Sequence, residues 1–259
     1  MRCYLLSSDT YYLLILRFHI VSENIKPPII NHILAALSED EYQNLAPYLE
    51  EISCSSGQIL QEPNEPIKEV YFPNRAMISL VSIMSDGSTT EIGLVGNEGI
   101  VGLPAILGGH STTSRSIVQI PGSAMKLPAR ILQREFLRGK KLQQLLLLYT
   151  QALLTHVSQN AACNRQHTIE ERLARWLLSV QDCVLSDELP LTQEFIANML
   201  GTRRSGVTVA AGTLQRAGMI RYNRGQITIT NQEALEETAC ECYRLVQNEF
   251  LRLLGSRRG

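Results

Sequence analysis

The stretch from Lys140 to Gln166, KKLQQLLLLYTQALLTHVSQNAACNRQ, contains neither proline nor glycine. Leu142, Leu145, Leu146, Tyr149, Leu153, Val157 and Ala161 recur through it mostly at spacings of three and four, which predicts one long helix with a continuous apolar stripe. Such a stripe is either core or the seam to a partner helix. The seam is favoured, because the β region ahead of it is too small to cover the whole stripe.

That β region runs from about Ile52 to Leu127. Short β-branched or aromatic runs (EVYFP, AMISLVSIM, TTEIGLV, SIVQI, AMKLP) alternate there with the turn signals PNEP, PNR, SDGS, GNEG, GGHS and PGS. The pattern predicts a barrel or jelly roll. SDGS predicts a hairpin with a tight two-residue turn, since Asp-Gly tolerates positive φ.

Beyond the long helix, Thr168 is placed to cap a second amphipathic helix, with Glu170 and Glu171 in its first turn and Leu173, Trp176, Leu177 and Val180 inside. A third helix starts at Thr192, buries Phe195, Ile196, Met199 and Leu200, and stops at Gly201 in a left-handed conformation. Thr202 is read as the cap of the next helix, Arg203 to about Ala217, whose inner face is Val207, Ala210, Ala211 and Leu214. A hairpin turning at Asn223–Gly225 and one final helix over NQEALEETACECYRLVQNEFLRLL complete the chain. Two short helices joined at a glycine, with small Ala197 at the crossing and Val207 as the plug, form a helix-turn-helix pattern; the hairpin is its wing.

Net charge is −1, so attraction to a polyanion must come from local charge. Residues 201–230 hold five arginines and no acidic residue, while acids flank the segment on both sides. Arg203 and Arg204 fall in the first turn of the second helix, the end that enters the major groove in this motif. Arg204, Ser205, Thr208 and Val209 border one exposed face suited to reading base edges. Arg216, Arg221 and Arg224 suit phosphate contacts. Thr192 and Thr202, at the two helix starts, complete the expected DNA-contacting set. The bland alternative is a solvated basic helix. Gly206 and Gly212 each cost about 1 kcal/mol of helix propensity, a loss that close approach to a neighbour or a phosphate would offset.

The six cysteines are scattered, which points to a reducing cytoplasm rather than a disulfide framework. Cys163 and Cys183 read as packing residues, with redox sensing at Cys163 as the alternative. Cys240 and Cys242 are placed on one helix, where positions i and i+2 diverge, and His156 and His167 lack a convergent carboxylate; no metal site is expected. Nor is there a nucleophile elbow or P-loop, so no enzyme and no cofactor is expected. No apolar run is long enough to span a membrane. Residues 1–30 read as a disordered N-terminal extension, with Val21 near the start of the protein if residues 1–20 are a misassigned upstream segment.

Over roughly residues 35–235 the chain resembles the cyclic-AMP receptor protein/FNR (Crp/Fnr) superfamily of bacterial transcription regulators. The likeness is strongest in LTQEFIANMLGTRRSGVTVAAGTLQRAGMIRY and is supported by NEGIVGLPAILGG and HTIEERLARWLL. It implies an α+β chain: a cupin-like β jelly roll resembling cyclic-nucleotide-binding domains (31–137), a dimerisation helix and hinge (138–166, with the hinge near Cys163–His167), and a winged helix-turn-helix domain (167–259). The implied partners are palindromic double-stranded DNA, a second copy of the chain through helix 138–164, and RNA polymerase. By position Arg204 looks like the family's guanine-reading arginine, whereas Ser205 and Val209 stand where many members carry glutamate and a second arginine. In the effector pocket, Gly102-Leu103 replaces the Gly-Glu pair whose carboxylate holds the ribose of a cyclic nucleotide. Arg115-Ser116 looks like the phosphate-binding pair, unless Arg115 is a surface residue at a strand start. No tight cyclic-AMP binding is expected, and the effector is left unnamed. Two other readings compete with a signal-responsive regulator: a constitutive architectural DNA binder, and a nucleotide-binding module without DNA function.

Overall fold

The computed structural model describes residues 29–255; the expected disordered extension, Val21 and Cys3 lie outside them or at their edge. Short helices α1 (His32–Ala35) and α2 (Glu39–Leu45), capped by Asn31 and Ser38, lead into the β lobe. Its strands are β1 (Glu50–Cys54), β2 (Ile59–Gln61), β3 (Glu69–Pro73), β4 (Met77–Ile83), β5 (Thr89–Val95), β6 (Arg115–Ile120) and β7 (Gly122–Pro128). They form two antiparallel sheets, ordered β1-β7-β3 and β2-β6-β4-β5. Ile78, Val95, Val118 and Ala124 are fully buried in the core of this lobe.

The β4–β5 hairpin forms where expected, but its turn differs. Only Gly87 takes positive φ, and the Gly87 N–H donates to Met84 O at 2.9 Å. Asp86 stays out of the left-handed region and accepts from Ser88 N–H at 2.9 Å. A wider turn closed by one left-handed glycine replaces the two-residue one.

Helices α3 (Pro104–Leu107) and α4 (Ala129–Phe136) precede the long helix α5 (Lys141–Gln166). The N-terminus of α5 has no cap of its own. Instead the buried Glu41 carboxylate accepts from Leu142 N–H at 2.9 Å, placing an anion at the positive end of the helix. The apolar stripe divides. Leu142, Leu145, Leu146 and Tyr149 are core within this chain, so the expected seam cannot run their length. Leu147, Leu154 and Ala161, spaced by seven, stay exposed on another face.

His167 ends α5, and Thr168 caps α6 (Ile169–Val184) with a full capping box: Glu171 N–H donates to its hydroxyl and the Glu171 carboxylate accepts from Thr168 N–H. Leu173, Trp176, Leu177 and Val180 are all buried, as the sequence predicts. Then follow β8 (Glu188–Leu189), α7 (Gln193–Met199), α8 (Arg204–Arg216), β9 (Ile220–Asn223) and β10 (Gln226–Ile229), the three strands pairing as β8-β10-β9. The expected single final helix is instead two, α9 (Gln232–Thr238) and α10 (Cys242–Leu254), broken at Ala239–Glu241. The second folds back along α5, where Phe250 meets Tyr149 edge-on at 6.2 Å.

The β lobe and the C-terminal lobe share one core. Met77, Val81, Leu94 and Ile120 from the strands pack in the same cluster as Trp176, Ile196, Leu200 and Val207. Glu91 of β5 fixes this contact: it accepts from Trp176 Nε1–H at 2.8 Å and from the Ser79 hydroxyl at 2.5 Å.

Candidate nucleic-acid interface

The turn between α7 and α8 follows from its residues. Thr192 accepts from Phe195 N–H at 3.2 Å and starts α7. Gly201, at φ +58°, ends it, and Thr202 N–H reaches back to Ala197 O at 2.9 Å across the crossing where Ala197 is buried. Thr202 is not the cap of α8: Arg203 occupies that position, without a side-chain cap bond, and α8 begins at Arg204. Without a side-chain cap, the first turn of α8 leaves N–H groups that a phosphate oxygen can accept. Val207, Ala210, Ala211 and Leu214 form its buried face as predicted.

The opposite face carries Arg203, Arg204, Ser205, Thr208 and Val209, all exposed. Val209 is a large apolar side chain that is 62% exposed. The Thr208 hydroxyl lies within hydrogen-bond distance of two acceptors for its one proton, Gln193 Oε1 at 2.7 Å and Arg204 O at 3.0 Å. Gln193 therefore belongs to this face, a residue the sequence reading missed because it sits on the other helix. Gly206 is explained by contact: a Cβ there would meet Ile169 Cδ1 at 2.8 Å. Gly212 has no such neighbour, its added Cβ meeting only Arg216 Nη1 at 3.5 Å.

At the wing tip Arg224 itself takes positive φ (46°) beside Gly225 (83°), and Arg221 lies exposed on β9. Arg216, at the end of α8, donates to Thr213 Oγ1 at 3.2 Å. Among the described residues, none of these five arginines forms an ion pair with a carboxylate. The turn of the motif is seated on the β lobe. Gly201 lies against Thr90 of β5 and Gln119 of β6 donates to Met199 Sδ at 3.7 Å, while Arg172 of α6 donates to Leu200 O from within the C-terminal lobe.

Gly102, Leu103 and Ser116 come together in a cavity of about 290 Å³ between the β lobe and α5, with Ile92, Leu153 and Val157 on its walls. No charged side chain lines it. Arg115 does not join them. It begins β6 and pairs through two bonds with Glu62, at 2.9 and 3.1 Å, with its side chain about a third exposed.

The expectation that Cys240 and Cys242 diverge on one helix is overturned. Because α9 and α10 are separate, Cys240 and Cys242 converge, and their sulfurs lie with Cys163 Sγ and a His167 ring nitrogen all within 4.8 Å of one another. His167 also has the carboxylate it was expected to lack, Glu241 at 3.2 Å. A hydrogen bond from Cys240 holds the Cys163 thiol well below its ordinary range against the effect of burial, helped by the nearby Arg175 charge. That same bond, with burial, pushes Cys240 up. Hydrogen bonding to Cys163 raises His167, as do the Cys163 and Glu241 charges. Cys183 is a packing residue in the shared core, and Cys54 sits in the β core, where burial raises its thiol.

Two family models match in chain order: a cyclic nucleotide-binding domain over residues 51–138 and a Crp-like helix-turn-helix domain over residues 171–238. The chain belongs to the Crp/Fnr superfamily of transcription regulators. Among curated relatives of this Crp/Fnr chain, the global nitrogen regulator of Synechococcus elongatus is 22% identical over 193 residues, 70% of this chain and 86% of that protein. Among solved structures, FixK2 from Bradyrhizobium japonicum matches with TM-score 0.64 at 19% identity, covering 74% of this chain and 98% of that one. A transcriptional regulator of the same family from Eubacterium rectale matches with TM-score 0.63 at 18% identity, covering 78% and 94%. These likenesses give the Crp/Fnr fold. Among the described residues no helix is long and apolar enough to cross a membrane.

Proposed function

We propose that this Crp/Fnr regulator acts as a cytoplasmic homodimer that binds palindromic double-stranded DNA through α8, with affinity set by a signal received in the β lobe. The observation that carries the reading is the bare arginine face: Arg203 and Arg204 at the open start of α8, and Arg221 and Arg224 on the wing, are exposed and free of carboxylate partners among the described residues. Unopposed guanidiniums at a helix start and wing suit base-edge reading and phosphate contact respectively. The four-part division of the chain (1–30, 31–137, 138–166, 167–259) belongs to the same proposal. So does contact with RNA polymerase.

Dimerisation is assigned to the exposed row Leu147, Leu154 and Ala161, whose spacing of seven matches a two-helix seam. Two α8 helices then need to lie about one DNA turn apart, roughly 34–36 Å. The signal shifts the population of dimers with that spacing. The uncharged cavity bounded by Gly102, Leu103 and Ser116 favours a neutral ligand over cyclic AMP, because neither ribose nor cyclic phosphate finds a charged partner there. A cavity between β lobe and α5 also favours a signal-responsive regulator over a constitutive architectural binder.

Selection of duplexes from a random pool by the full chain tests the reading. The expected result is a two-fold symmetric consensus whose half-sites differ from the cyclic-AMP receptor protein's. Retention of duplexes without sequence enrichment would reject sequence-specific recognition.

A further inference from the structure

Cys163 and His167 stand one helical turn apart at the end of α5, while Cys240 lies in the break after α9 and Cys242, beyond Glu241, is the first residue of α10. The Sγ atoms of Cys163 and Cys240 are 3.5 Å apart, and Cys242 Sγ is 3.6 Å from His167 Nδ1. A tetrahedral zinc ion with Zn–S of about 2.3 Å and Zn–N of about 2.0–2.1 Å sets its ligand–ligand edges at roughly 3.5–3.8 Å. These two pairs already match such edges. A polynuclear iron–sulfur core needs its cysteines spread more widely around it.

The surroundings fit an ion as well as the ligands do. Glu241 faces His167 Nε2 at 3.2 Å, leaving Nδ1 toward the sulfurs, the arrangement by which a carboxylate orients a metal-binding imidazole. Gln159 Nε2–H donates to Cys242 Sγ at 3.0 Å, a bond suited to a thiolate. Three thiolates and a dication leave one negative charge, and the buried Arg172 and Arg175 guanidiniums supply positive potential beside Cys163. The three cysteines are 0–5% exposed, so the ion would be shielded from water.

We propose that Cys163, His167, Cys240 and Cys242 form a mononuclear, tetrahedral zinc site that pins the start of α10 to the end of α5. The protons that the thiols and the imidazole carry pass to solvent as the ion enters, and no electron is transferred. Four protein ligands leave no open position, so the role is structural. The site clamps the hinge before α6 to the C-terminal segment.

The test is metal analysis of full-length protein purified under reducing conditions without chelator. One zinc per chain is expected, and cobalt replacing it gives thiolate charge-transfer and tetrahedral d–d absorption. Cys240→Ser abolishes stoichiometric binding. Glu241→Gln, at a residue exposed enough to leave folding intact, weakens zinc by about 10–100-fold in competition with a chromophoric chelator. Three results would each overturn the proposal: wild-type protein that neither contains nor takes up zinc, a Cys163–Cys240 disulfide in rapidly alkylated protein, or iron with acid-labile sulfide.

Discussion

Glu91 and Trp176 give the sharpest test of how the β lobe holds the DNA-binding lobe. The Glu91 carboxylate is 5% exposed and accepts from both the Trp176 indole and the Ser79 hydroxyl. Glu91→Gln keeps one acceptor oxygen for the indole, and the new amide can donate to Ser79, so only the charge is lost. Hydrogen bonds to charged groups contribute about 1.5–3 kcal/mol and neutral ones about 0.5–1.5, so the change costs roughly 1 kcal/mol. Trp176→Phe removes one donor and leaves the buried carboxylate a hydrogen bond short, at a cost of about 3 kcal/mol. In that background Glu91→Gln relieves the under-compensated charge and becomes neutral or stabilising. The coupling free energy is then about 1–3 kcal/mol, read as the difference between Glu91→Gln effects in the two backgrounds by urea unfolding followed with far-UV circular dichroism. Trp176 is the chain's single tryptophan, so wild-type fluorescence reports separation of the lobes directly. Equal Glu91→Gln effects in both backgrounds, within about 0.5 kcal/mol, would refute the coupling.

Three other perturbations follow from the geometry. Arg204→Ala should cost about 1–3 kcal/mol of binding and relax preference at one base pair, while Arg224→Ala should weaken all duplexes alike and lower the salt slope by about 1; anisotropy titrations on cognate and random duplexes at several salt concentrations compare them. Although burial opposes it, Leu142 N–H and the Ser38 hydroxyl hold the Glu41 carboxyl below its ordinary 4.5, so its contribution is present above that pH and is lost as pH falls through the lowered value. Glu41→Gln should therefore destabilise the protein by about 1–2 kcal/mol at pH 7 and by progressively less in acid, measured by unfolding across pH. Leu154→Glu, at a side chain 66% exposed in the single chain, should raise the dimer dissociation constant at least about tenfold in analytical ultracentrifugation without lowering monomer stability.

Strands β3 to β7 were legible as short β-branched or aromatic runs closed by turn residues, and EVYFP and TTEIGLV became β3 and β5 residue for residue, whereas β1 and β2 were not among the runs read. The helix-turn-helix was legible for a local reason: Ala197, Gly201 and Val207 are spaced so that one crossing requires all three. Long-range pairings left no such trace. The break before α10 contains neither glycine nor proline, so ETACECY reads as continuous helix. At the break Cys240 and Cys242 meet residues 77 and 75 positions earlier, pairings that no local pattern encodes. The same holds for α10 on α5: the stripe from Leu142 to Tyr149 announced burial but not which surface would supply it. Gln193 joined the exposed face of α8 only once α7 and α8 were placed side by side.

The shared core means that the reading head is not a detachable cassette. Cutting the chain before α6 would bare Leu200, Trp176 and their neighbours on the side where Met77, Leu94 and Ile120 now sit. Grafting this C-terminal half onto another sensor would carry that sticky flank with it. Changes in the β4–β5 sheet and in the α7–α8 turn are therefore bound to be accepted or rejected together, as two halves of one fitted joint.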